Sequence, residues 1–294
     1  MVLREKVENA VFVADLQADP PAFLHPGRLT LDERLNFPHA WTRDSKSVIF
    51  ESNRNGSWDV FSQQVGQRTP VTIAATPRRW EVLPQTTSDG RFILYAAGRA
   101  DGTEGPPYTL MRVPVGGGIA QVVPTDGPLE EFRCALGDGT GCVLRKSIGR
   151  ESFAYYELDP IKGIGRELAR TAWLQPVIGD WDVSPDGKQI AIPNHDTRSA
   201  KIRFVRLDGR MPPEHELNVP GLSDISGVFW AARGDALFLS VLTPVGKRMY
   251  YVYRDGRTHA LGDIQGWAVP SPDGRKVAFL DQIIVSNAWL IDRR

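Results

Sequence analysis

The chain has 294 residues, of which 41% are hydrophobic and 24% charged, as in a packed globular protein and unlike a disordered chain. Its 35 lysines and arginines balance 35 aspartates and glutamates, so no net charge draws it to nucleic acid or to an anionic membrane. No apolar run approaches the roughly 18 residues that span a bilayer, and charges occupy the start of the chain, where a signal peptide needs its apolar region. We therefore expect no nucleic-acid partner, no membrane insertion and no export signal.

The first predicted elements are two strands, at residues 10–14 and 28–31. From residue 38 onward one unit recurs, in which a tight polar turn joins two apolar stretches. The turns centre on Asp44, Asp89, Asp138, Asp186, Arg233 and Asp273, at steps of 40 to 49 residues. A steady period in the forties with several strands per repeat is typical of propeller blades.

The turn sequence Ser-Pro-Asp-Gly explains how each repeat begins. Proline fixes φ near −65°, the aspartate side chain accepts hydrogen bonds from nearby backbone N–H groups, and glycine takes a positive φ. A third run rich in β-branched and aromatic residues follows each turn, as at 202–207 and 249–253, and a weaker fourth run comes after it. No segment keeps a 3.6-residue apolar period, so we expect almost no helix.

These elements predict a single all-β propeller domain over 1–294, with about four antiparallel strands per blade. The number of blades depends on how the ends of the chain pair. The strand at 10–14 is like a third strand and that at 28–31 like a fourth, whereas the last repeat stops after a third strand at 288–291. Residues 1–37 and 264–294 together are too long for one blade. We therefore favour seven blades, with six as the alternative if the N-terminal strands complete the last blade. The predicted units are a partial blade at 1–37 and repeats near 38–78, 79–128, 129–174, 175–221, 222–262 and 263–294.

The turns at 184–188 and 271–275, and the variant at 41–45, resemble the repeats of TolB-like (WD40-like, PD40) β-propellers. The stretches at 28–33, 38–42, 52–56, 158–163 and 286–289 resemble more closely the propeller modules that follow bacterial winged-helix regulator or serine/threonine kinase domains. This resemblance implies a binding or sensing role in a bacterial signalling or envelope system, with a protein or peptide partner. It also suggests a periplasmic or other extracytoplasmic location, which the lack of a signal peptide opposes.

The innermost strand of each blade surrounds the axial channel, so residues shortly before each turn are the predicted ligand funnel. These positions mix charged, polar and aromatic side chains: His39, Gln85, Glu131, Arg133, Asp180, Asp182, Ser226 and Trp267. A polar small molecule or a peptide end can be held by such a set. The alternative is that these groups satisfy one another around a water-filled channel.

The two cysteines, Cys134 and Cys142, flank a seven-residue loop. If that loop is a hairpin, a disulfide can join adjacent strands; two reduced core thiols are the alternative. No histidine lies near them in sequence, so we expect neither a metal site nor another cofactor.

Known catalytic motifs are missing from the sequence: there is no Gly-x-Ser-x-Gly elbow, no phosphate-binding Gly-rich loop and no His-Glu-x-x-His helix. The favoured function is therefore a monomeric, non-catalytic binding or sensing module. The alternative is a propeller enzyme, such as a lyase or glycan hydrolase, with acid and base drawn from His39, Glu131, Asp180 and Asp182. Convergence of two such groups with perturbed pKa values in one apolar-walled pocket favours the enzyme, and mutual pairing favours the binding module.

Overall fold

The fold is described here from a computed structural model over residues 2–99, 107–137, 141–172, 181–194, 200–208 and 215–289, with side chains from residue 8 to residue 282. These residues form strands, turns and bends and no helix, as the sequence predicts, and so contain no helix that could cross a membrane. Asp138 and Asp180 lie outside the described residues.

Twenty-four strands are present in the described part of the chain. In chain order they are β1 (Val2–Ala18), β2 (Pro21–Arg28), β3 (Asn36–Trp41), β4 (Ser47–Ser52), β5 (Asp59–Gln64), β6 (Val71–Ala74), β7 (Glu81–Thr86), β8 (Phe92–Ala97), β9 (Thr109–Pro114), β10 (Gln121–Val122), β11 (Glu131–Cys134), β12 (Cys142–Ile148), β13 (Ser152–Asp159), β14 (Gly163–Ala172), β15 (Asp182–Val183), β16 (Gln189–Pro193), β17 (Ala200–Arg206), β18 (His215–Val219), β19 (Ile225–Trp230), β20 (Ala236–Thr243), β21 (Gly246–Tyr253), β22 (Thr258–Gly262), β23 (Ala268–Pro270) and β24 (Lys276–Trp289).

The strands form six four-stranded antiparallel sheets, which are the blades of a β-propeller. Blades 1 to 5 each use four consecutive strands, from β3–β6 for blade 1 to β19–β22 for blade 5. Blade 6 has the order β2-β1-β24-β23 and so combines both ends of the chain. The prediction of an all-β propeller with four antiparallel strands per blade is confirmed.

The favoured count of seven blades is wrong, because the described strands form six. The predicted third strand at 288–291 does not begin after a turn, because β24 runs without a break from Lys276 to Trp289. Its whole length pairs with β1, from Val2 opposite Trp289 to Asp15 opposite Lys276. The surplus residues at the two ends of the chain form a two-stranded ribbon that extends beyond the blade. In it, residues 2–9 pair with residues 282–289.

Aromatic and aliphatic side chains hold the closing blade together. The Phe12 and Phe279 rings, on the paired strands β1 and β24, stack with centroids 5.6 Å apart, and Phe23 of β2 stacks 5.4 Å from Phe279. On the other face of β1, Val11 and Val13 enter the cluster around the buried Trp41 of blade 1. Pairing the N-terminal strand into blade 6 thus buries apolar surface and also covers the sheet edges that the two ends would otherwise expose.

Buried tryptophans on inner strands join neighbouring blades. Trp41 Nε1 of blade 1 donates a 2.9 Å hydrogen bond to the Val269 carbonyl of blade 6. Trp230 Nε1 of blade 5 donates to the Asp182 carbonyl of blade 4 at 3.2 Å. The bonds satisfy the indole N–H groups in the apolar interface between blades, where an unpaired donor is costly.

The predicted turn chemistry is present at each of the four described turn aspartates. In the turn at 184–187, the Ser184 hydroxyl donates to Asp186 Oδ1 at 2.6 Å, and the Lys188 N–H donates to the same oxygen at 3.1 Å. Partial burial acts to raise the pKa of Asp186, but these two hydrogen bonds and the Lys188 charge outweigh it and hold the pKa below its usual value. Equivalent hydroxyl contacts exist at Asp44, Asp89 and Asp273.

The first turns of the blades meet around the propeller axis. Their contacts join Ser88 Oγ to the Gly141 N–H (3.2 Å), Pro185 O to the Gly137 N–H (3.1 Å), Ser45 Oγ to the Asp273 N–H (3.1 Å), and the Leu136 carbonyl to Arg43 Nη1 (3.0 Å). Ser45 has a φ of 59° where other repeats have glycine, and its hydroxyl provides the bond between blades 1 and 6. The ring of turns narrows this end of the channel, which we call the turn end. The opposite end, where the inner strands begin, is the mouth.

Candidate binding pocket at the mouth

A cavity of about 530 Å³ opens at the mouth between blades 1, 2 and 3. The second strands and loops of these blades contribute as much of its wall as the inner strands do. Its lining residues are Glu51, Trp58, Trp80, Val82, Leu83, Tyr108, Glu130, Glu131, Arg145, Ser147 and Phe153. By contrast, the space beside His39 and Gln85 toward the turn end measures only about 20 Å³. A pocket of several hundred Å³ matches the usual size of small-molecule sites, so the mouth has room for a ligand.

Aromatic rings form one wall of the mouth pocket and continue across the mouth. Trp58 meets Trp80 edge-on, with ring centroids 6.5 Å apart. Phe37 contacts Trp58 at 5.3 Å and stacks on Trp267 at 5.7 Å. All four rings are only half-buried. The row therefore runs from blade 2 through blade 1 to blade 6 and leaves aromatic surface open to a ligand.

The backbone fixes the two tryptophans of the pocket, although both lie outside strands. The Trp58 carbonyl accepts a 2.7 Å hydrogen bond from the Glu81 N–H, and the Trp80 carbonyl accepts one of the same length from the Gly98 N–H. Gly98 has no side chain because Trp80 packs there: an added Cβ would lie 3.3 Å from Trp80 Cβ. The pocket wall is thus held before any ligand arrives, which lowers the entropy cost of binding.

Glu51, at the end of β4, is the carboxylate at the base of the pocket. Its Oε2 accepts a 2.7 Å hydrogen bond from the Leu83 N–H. His39 Nε2 lies 3.2 Å from the same oxygen, within ion-pair distance but outside hydrogen-bond geometry. Burial, with a contribution from the Glu51 charge, raises the pKa of Tyr108 on the facing wall.

A second free carboxylate lies at the rim. Glu130 Oε2 accepts hydrogen bonds from the Ser147 backbone N–H at 2.8 Å and from the Ser147 hydroxyl at 2.7 Å. Within the described ranges, no lysine or arginine forms an ion pair with Glu130 or Glu51. In the described part of the chain, neither carboxylate is therefore neutralised by a permanently charged side chain, and only Glu51 has a histidine within ion-pair distance.

Glu131, beside Glu130, differs from it because two arginines form ion pairs with its carboxylate. Arg133 Nη2 lies 2.7 Å from Glu131 Oε1, and Arg145 Nη2 lies 2.5 Å from Oε2. All three side chains are buried. The Arg145 guanidinium also lies 4.5 Å from the Phe153 ring centroid, so a cation–π contact already exists within the pocket wall.

Leu83, on the pocket floor, has a strained backbone. Its φ is 56°, a left-handed value that a leucine rarely adopts, and Pro84 follows it. The strand pairing of β7 with β8 shifts register here, between Val82 and Gln85. The bulge directs the Leu83 N–H to Glu51. Strain of this kind costs of order 1–3 kcal/mol and is concentrated at functional sites.

The predicted funnel residues do not form one site. His39 contacts Trp267 at a centroid distance of 5.9 Å, and Gln85 Nε2 donates to the His39 carbonyl at 3.4 Å. Glu131 and Arg133 pair with each other. Of the predicted residues that the structure describes, Glu131 is the one that lines the mouth pocket.

Asp182 and Ser226 have structural contacts instead. Asp182 accepts the Trp230 N–H at 2.8 Å and the Val183 N–H at 2.9 Å, and so links blade 4 to blade 5. Burial raises the pKa of Asp182 to about 6 against these hydrogen bonds. Ser226 Oγ lies 3.2 Å from both the carbonyl and the hydroxyl oxygen of Ser240 on the paired strand β20. Neither residue is among those that line the mouth pocket.

Most of the pocket residues could not be predicted from the turn positions, because residues shortly before each turn lie on inner strands only. Glu51 and Ser147 lie near the far ends of second strands, and Arg145 lies in the middle of one. Trp58 and Tyr108 precede third strands. One sequence signal for the pocket is Trp80, which lies directly before the inner strand β7. Trp181 and Trp267 lie directly before the inner strands β15 and β23 in the same way.

The structure joins Cys134 and Cys142 in a disulfide across β11 and β12, where the two residues are directly opposite each other. Both cysteines are buried in the cluster that packs behind the mouth pocket. Within the described residues, no three His, Cys, Asp or Glu side chains converge in a way that could hold a metal ion.

Six four-stranded blades, the last closed by both chain ends, make the fold a six-bladed β-propeller, and TolB structures have a similar fold. The structure of TolB from Acinetobacter baumannii is similar, with a TM-score of 0.60 and 14% identity, over 93% of this chain and 64% of that one. A TolB-type protein from Agrobacterium tumefaciens has a TM-score of 0.58 and 14% identity, over 94% of this chain and 99% of that one. This chain therefore spans less than two thirds of the Acinetobacter protein.

An oligogalacturonate lyase in complex with manganese is also similar, with a TM-score of 0.53 and 16% identity, over 81% of this chain and 68% of that one. At such identities the similarity shows the fold alone. No protein-family model and no curated protein sequence matches the chain.

Proposed function

We propose that the protein is a non-catalytic binding propeller, which holds a segment of a protein or peptide partner in the mouth pocket between blades 1, 2 and 3. The observation that carries the proposal is the pocket itself: about 530 Å³, held open by backbone contacts, with half-buried aromatic rings on its wall. Exposed aromatic side chains of this kind are typical anchors for partners.

The polar groups around the axis support binding over catalysis. Glu131 is neutralised by two arginines, and Asp182, whose pKa is raised, is bonded to the backbone of blade 5. Of these two candidate acids, Glu131 lines the mouth pocket and Asp182 does not. TolB proteins are among the structures of similar fold, and the PD40-like turns resemble modules attached to bacterial regulators and kinases. We accordingly place the protein in a bacterial signalling or envelope system.

A peptide library displayed on phage tests the proposal. The library is selected on the purified chain, and each enriched peptide is then measured by biolayer interferometry against two variants. Trp58→Ala removes a ring from the pocket. Tyr253→Ala removes a half-buried ring of blade 5, outside the pocket, as a matched control.

The expected result is enrichment of peptides whose affinity falls about tenfold or more in Trp58→Ala and is unchanged in Tyr253→Ala. Peptides that bind both variants equally well would place the site elsewhere. Failure to enrich any peptide, in repeated selections on a chain with native circular dichroism, would remove the proposed function.

A lyase or glycan hydrolase is the second candidate, and the His39–Glu51 pair is the observation that favours it. An imidazole 3.2 Å from a partly buried carboxylate, at the edge of an open pocket, is a plausible acid–base pair. The test is turnover of a panel of uronate and neutral oligosaccharides by the chain and by His39→Gln. Turnover that His39→Gln abolishes would establish the enzyme, and absence of turnover across the panel would count against it.

A further inference from the structure

Building on the proposed binding function, we propose that the mouth pocket recognises an organic cation, a guanidinium or alkylated ammonium group on an apolar stem. An arginine side chain of a peptide partner is the occupant that fits best. The juxtaposition that points to it is an aromatic wall next to two carboxylates with which no lysine or arginine of the described residues pairs.

The charge of the pocket is the first argument. Arg133 and Arg145 are compensated by Glu131 and by Asp182, whose interaction with Arg133 is favourable. No lysine or arginine of the described residues pairs with Glu51 or Glu130, and the basic group nearest Glu51 in an ion-pair contact is the His39 imidazole at 3.2 Å. An anionic ligand would be repelled by these two carboxylates, and a neutral one would desolvate them without a partner. A cationic ligand, by contrast, is attracted by both carboxylates, so their charge favours its binding.

The aromatic wall is the second argument. Cations are attracted to the faces of tryptophan and tyrosine rings within about 6 Å of the centroid. Trp58, Trp80 and Tyr108 line the same cavity as the two carboxylates, so a guanidinium can contact rings and carboxylates at once. The Arg145 guanidinium over Phe153 shows that this wall already accommodates a cation on an aromatic face.

The shape of the pocket is the third argument. Its aromatic wall leads from the rim, where Glu130 is exposed, to the base, where Glu51 is mostly buried. A long apolar stem with a terminal charge matches that order, because its methylene groups can lie along the rings while its head reaches Glu51. The bulge at Leu83 keeps Glu51 in position by donating its N–H to the carboxylate.

Two matched pairs of probes test the inference by isothermal titration calorimetry on the full chain. N-acetyl-arginine-N-methylamide is compared with its citrulline analogue, which has nearly the same shape and no charge. Choline is compared with 3,3-dimethyl-1-butanol, its neutral isostere. The first pair represents a peptide side chain and the second a free small cation.

The variants are Glu130→Gln and, as a matched control, Glu216→Gln in blade 4, which is outside the pocket and paired with Lys201. Glutamine at 130 can still accept the Ser147 hydrogen bonds, so this variant removes charge and little else. Far-UV circular dichroism and the melting temperature check that each variant is folded.

The expected result is that the arginine probe binds about tenfold or more tightly than the citrulline probe. The preference should fall about threefold or more in Glu130→Gln, persist in Glu216→Gln and weaken as salt is raised. Preference for choline over its isostere, at an affinity above that of the arginine probe, would support a free small cation as the source. Equal affinities within both pairs would overturn the inference.

The inference and the proposed function fail in different ways. If selected peptides lose affinity in Trp58→Ala but lack arginine and lysine, the pocket binds partners and the cation assignment is wrong. If no peptide is selected and no probe binds, both are wrong.

Discussion

The hydrogen bond from Trp41 across the closing seam gives a prediction that can be worked from the structure. Trp41 is 1% exposed, and its Nε1 donates to the Val269 carbonyl of blade 6 at 2.9 Å. The variant Trp41→Phe removes the donor and part of the ring. Trp181→Phe is the matched control, since Trp181 is equally buried but its Nε1 has no acceptor among the described residues.

The two substitutions remove the same atoms. The Arg133 and Arg145 guanidinium groups lie 5.7 Å from the Trp181 ring centroid, and phenylalanine keeps a ring face for them, so the cost of the smaller ring is similar in both. Only Trp41→Phe also loses a buried hydrogen bond, which is worth about 1–2 kcal/mol when its acceptor is left in an apolar interface. For a chain of this length, that difference lowers the melting temperature by about 2–3 °C beyond the control.

Differential scanning calorimetry of the wild type and the two variants is the assay. We expect Trp41→Phe to melt below Trp181→Phe, with Trp230→Phe, which loses the longer 3.2 Å bond, in between. If Trp181→Phe is as destabilised as Trp41→Phe or more, the seam bond between blades 6 and 1 contributes nothing beyond packing, and the reasoning is refuted.

Three further predictions concern other parts of the fold. Burial raises the pKa of Glu81 to about 7 from its usual 4.5, so the native state binds more protons than the unfolded state between these values and stability falls as pH rises through them. Glu81→Gln should therefore become more stable than the wild type by about 1–2 kcal/mol above pH 7, after allowing for solvent screening, and the gain should vanish near pH 4 in urea denaturation; a gain independent of pH would contradict this. Reduction of the Cys134–Cys142 disulfide, which closes a loop of sequence separation 8, should lower stability by about 2–3 kcal/mol, and a Cys134→Ala/Cys142→Ala double variant should not respond to reductant; a wild type equally stable with and without reductant would show that the thiols are not linked. Asp186→Ala should cost about 1 kcal/mol at pH 7 and less as pH falls below the unfolded-state pKa near 3.8, because the lowered native pKa of Asp186 favours its ionised form; an effect that stays constant from pH 7 to pH 2.5 would rule out the turn carboxylate as its origin.

The repeating fold could be predicted from the sequence because each turn carries its own chemistry. Ser184 and Asp186 form the predicted bonds within three residues, and the strands beside them need only alternation and β-branched residues. Local rules of this kind act in every repeat. Even Ser45, which departs from the glycine pattern, keeps the left-handed φ that the turn requires.

The blade count could not be predicted in the same way, since it depends on pairing between residues more than 260 positions apart. Nothing local separates a third strand at 288–291 from the continuation of β24, because both are rich in apolar residues. The blade count is decided by the pairing of β1 with β24, from Val2–Trp289 to Asp15–Lys276. This pairing forms only when the two ends of the chain meet in the last blade.

The candidate site was located only in part for a related reason. Propeller geometry places inner-strand residues around the axis, but it does not say at which end the channel opens. The turns crowd one end, where His39 and Gln85 border a space of about 20 Å³. The open end is assembled from second strands and loops, so residues such as Glu51 and Tyr108 meet there only through packing between blades.

The central claim is that ligands bind in the mouth pocket, and a crystal structure of the chain soaked with N-acetyl-arginine-N-methylamide tests it most directly. The account predicts density for the guanidinium between the rings of Trp58, Trp80 and Tyr108, with its N–H groups directed to Glu51 or Glu130. Density for the probe beside Gln85 in the axial channel, with the mouth pocket empty, would contradict it.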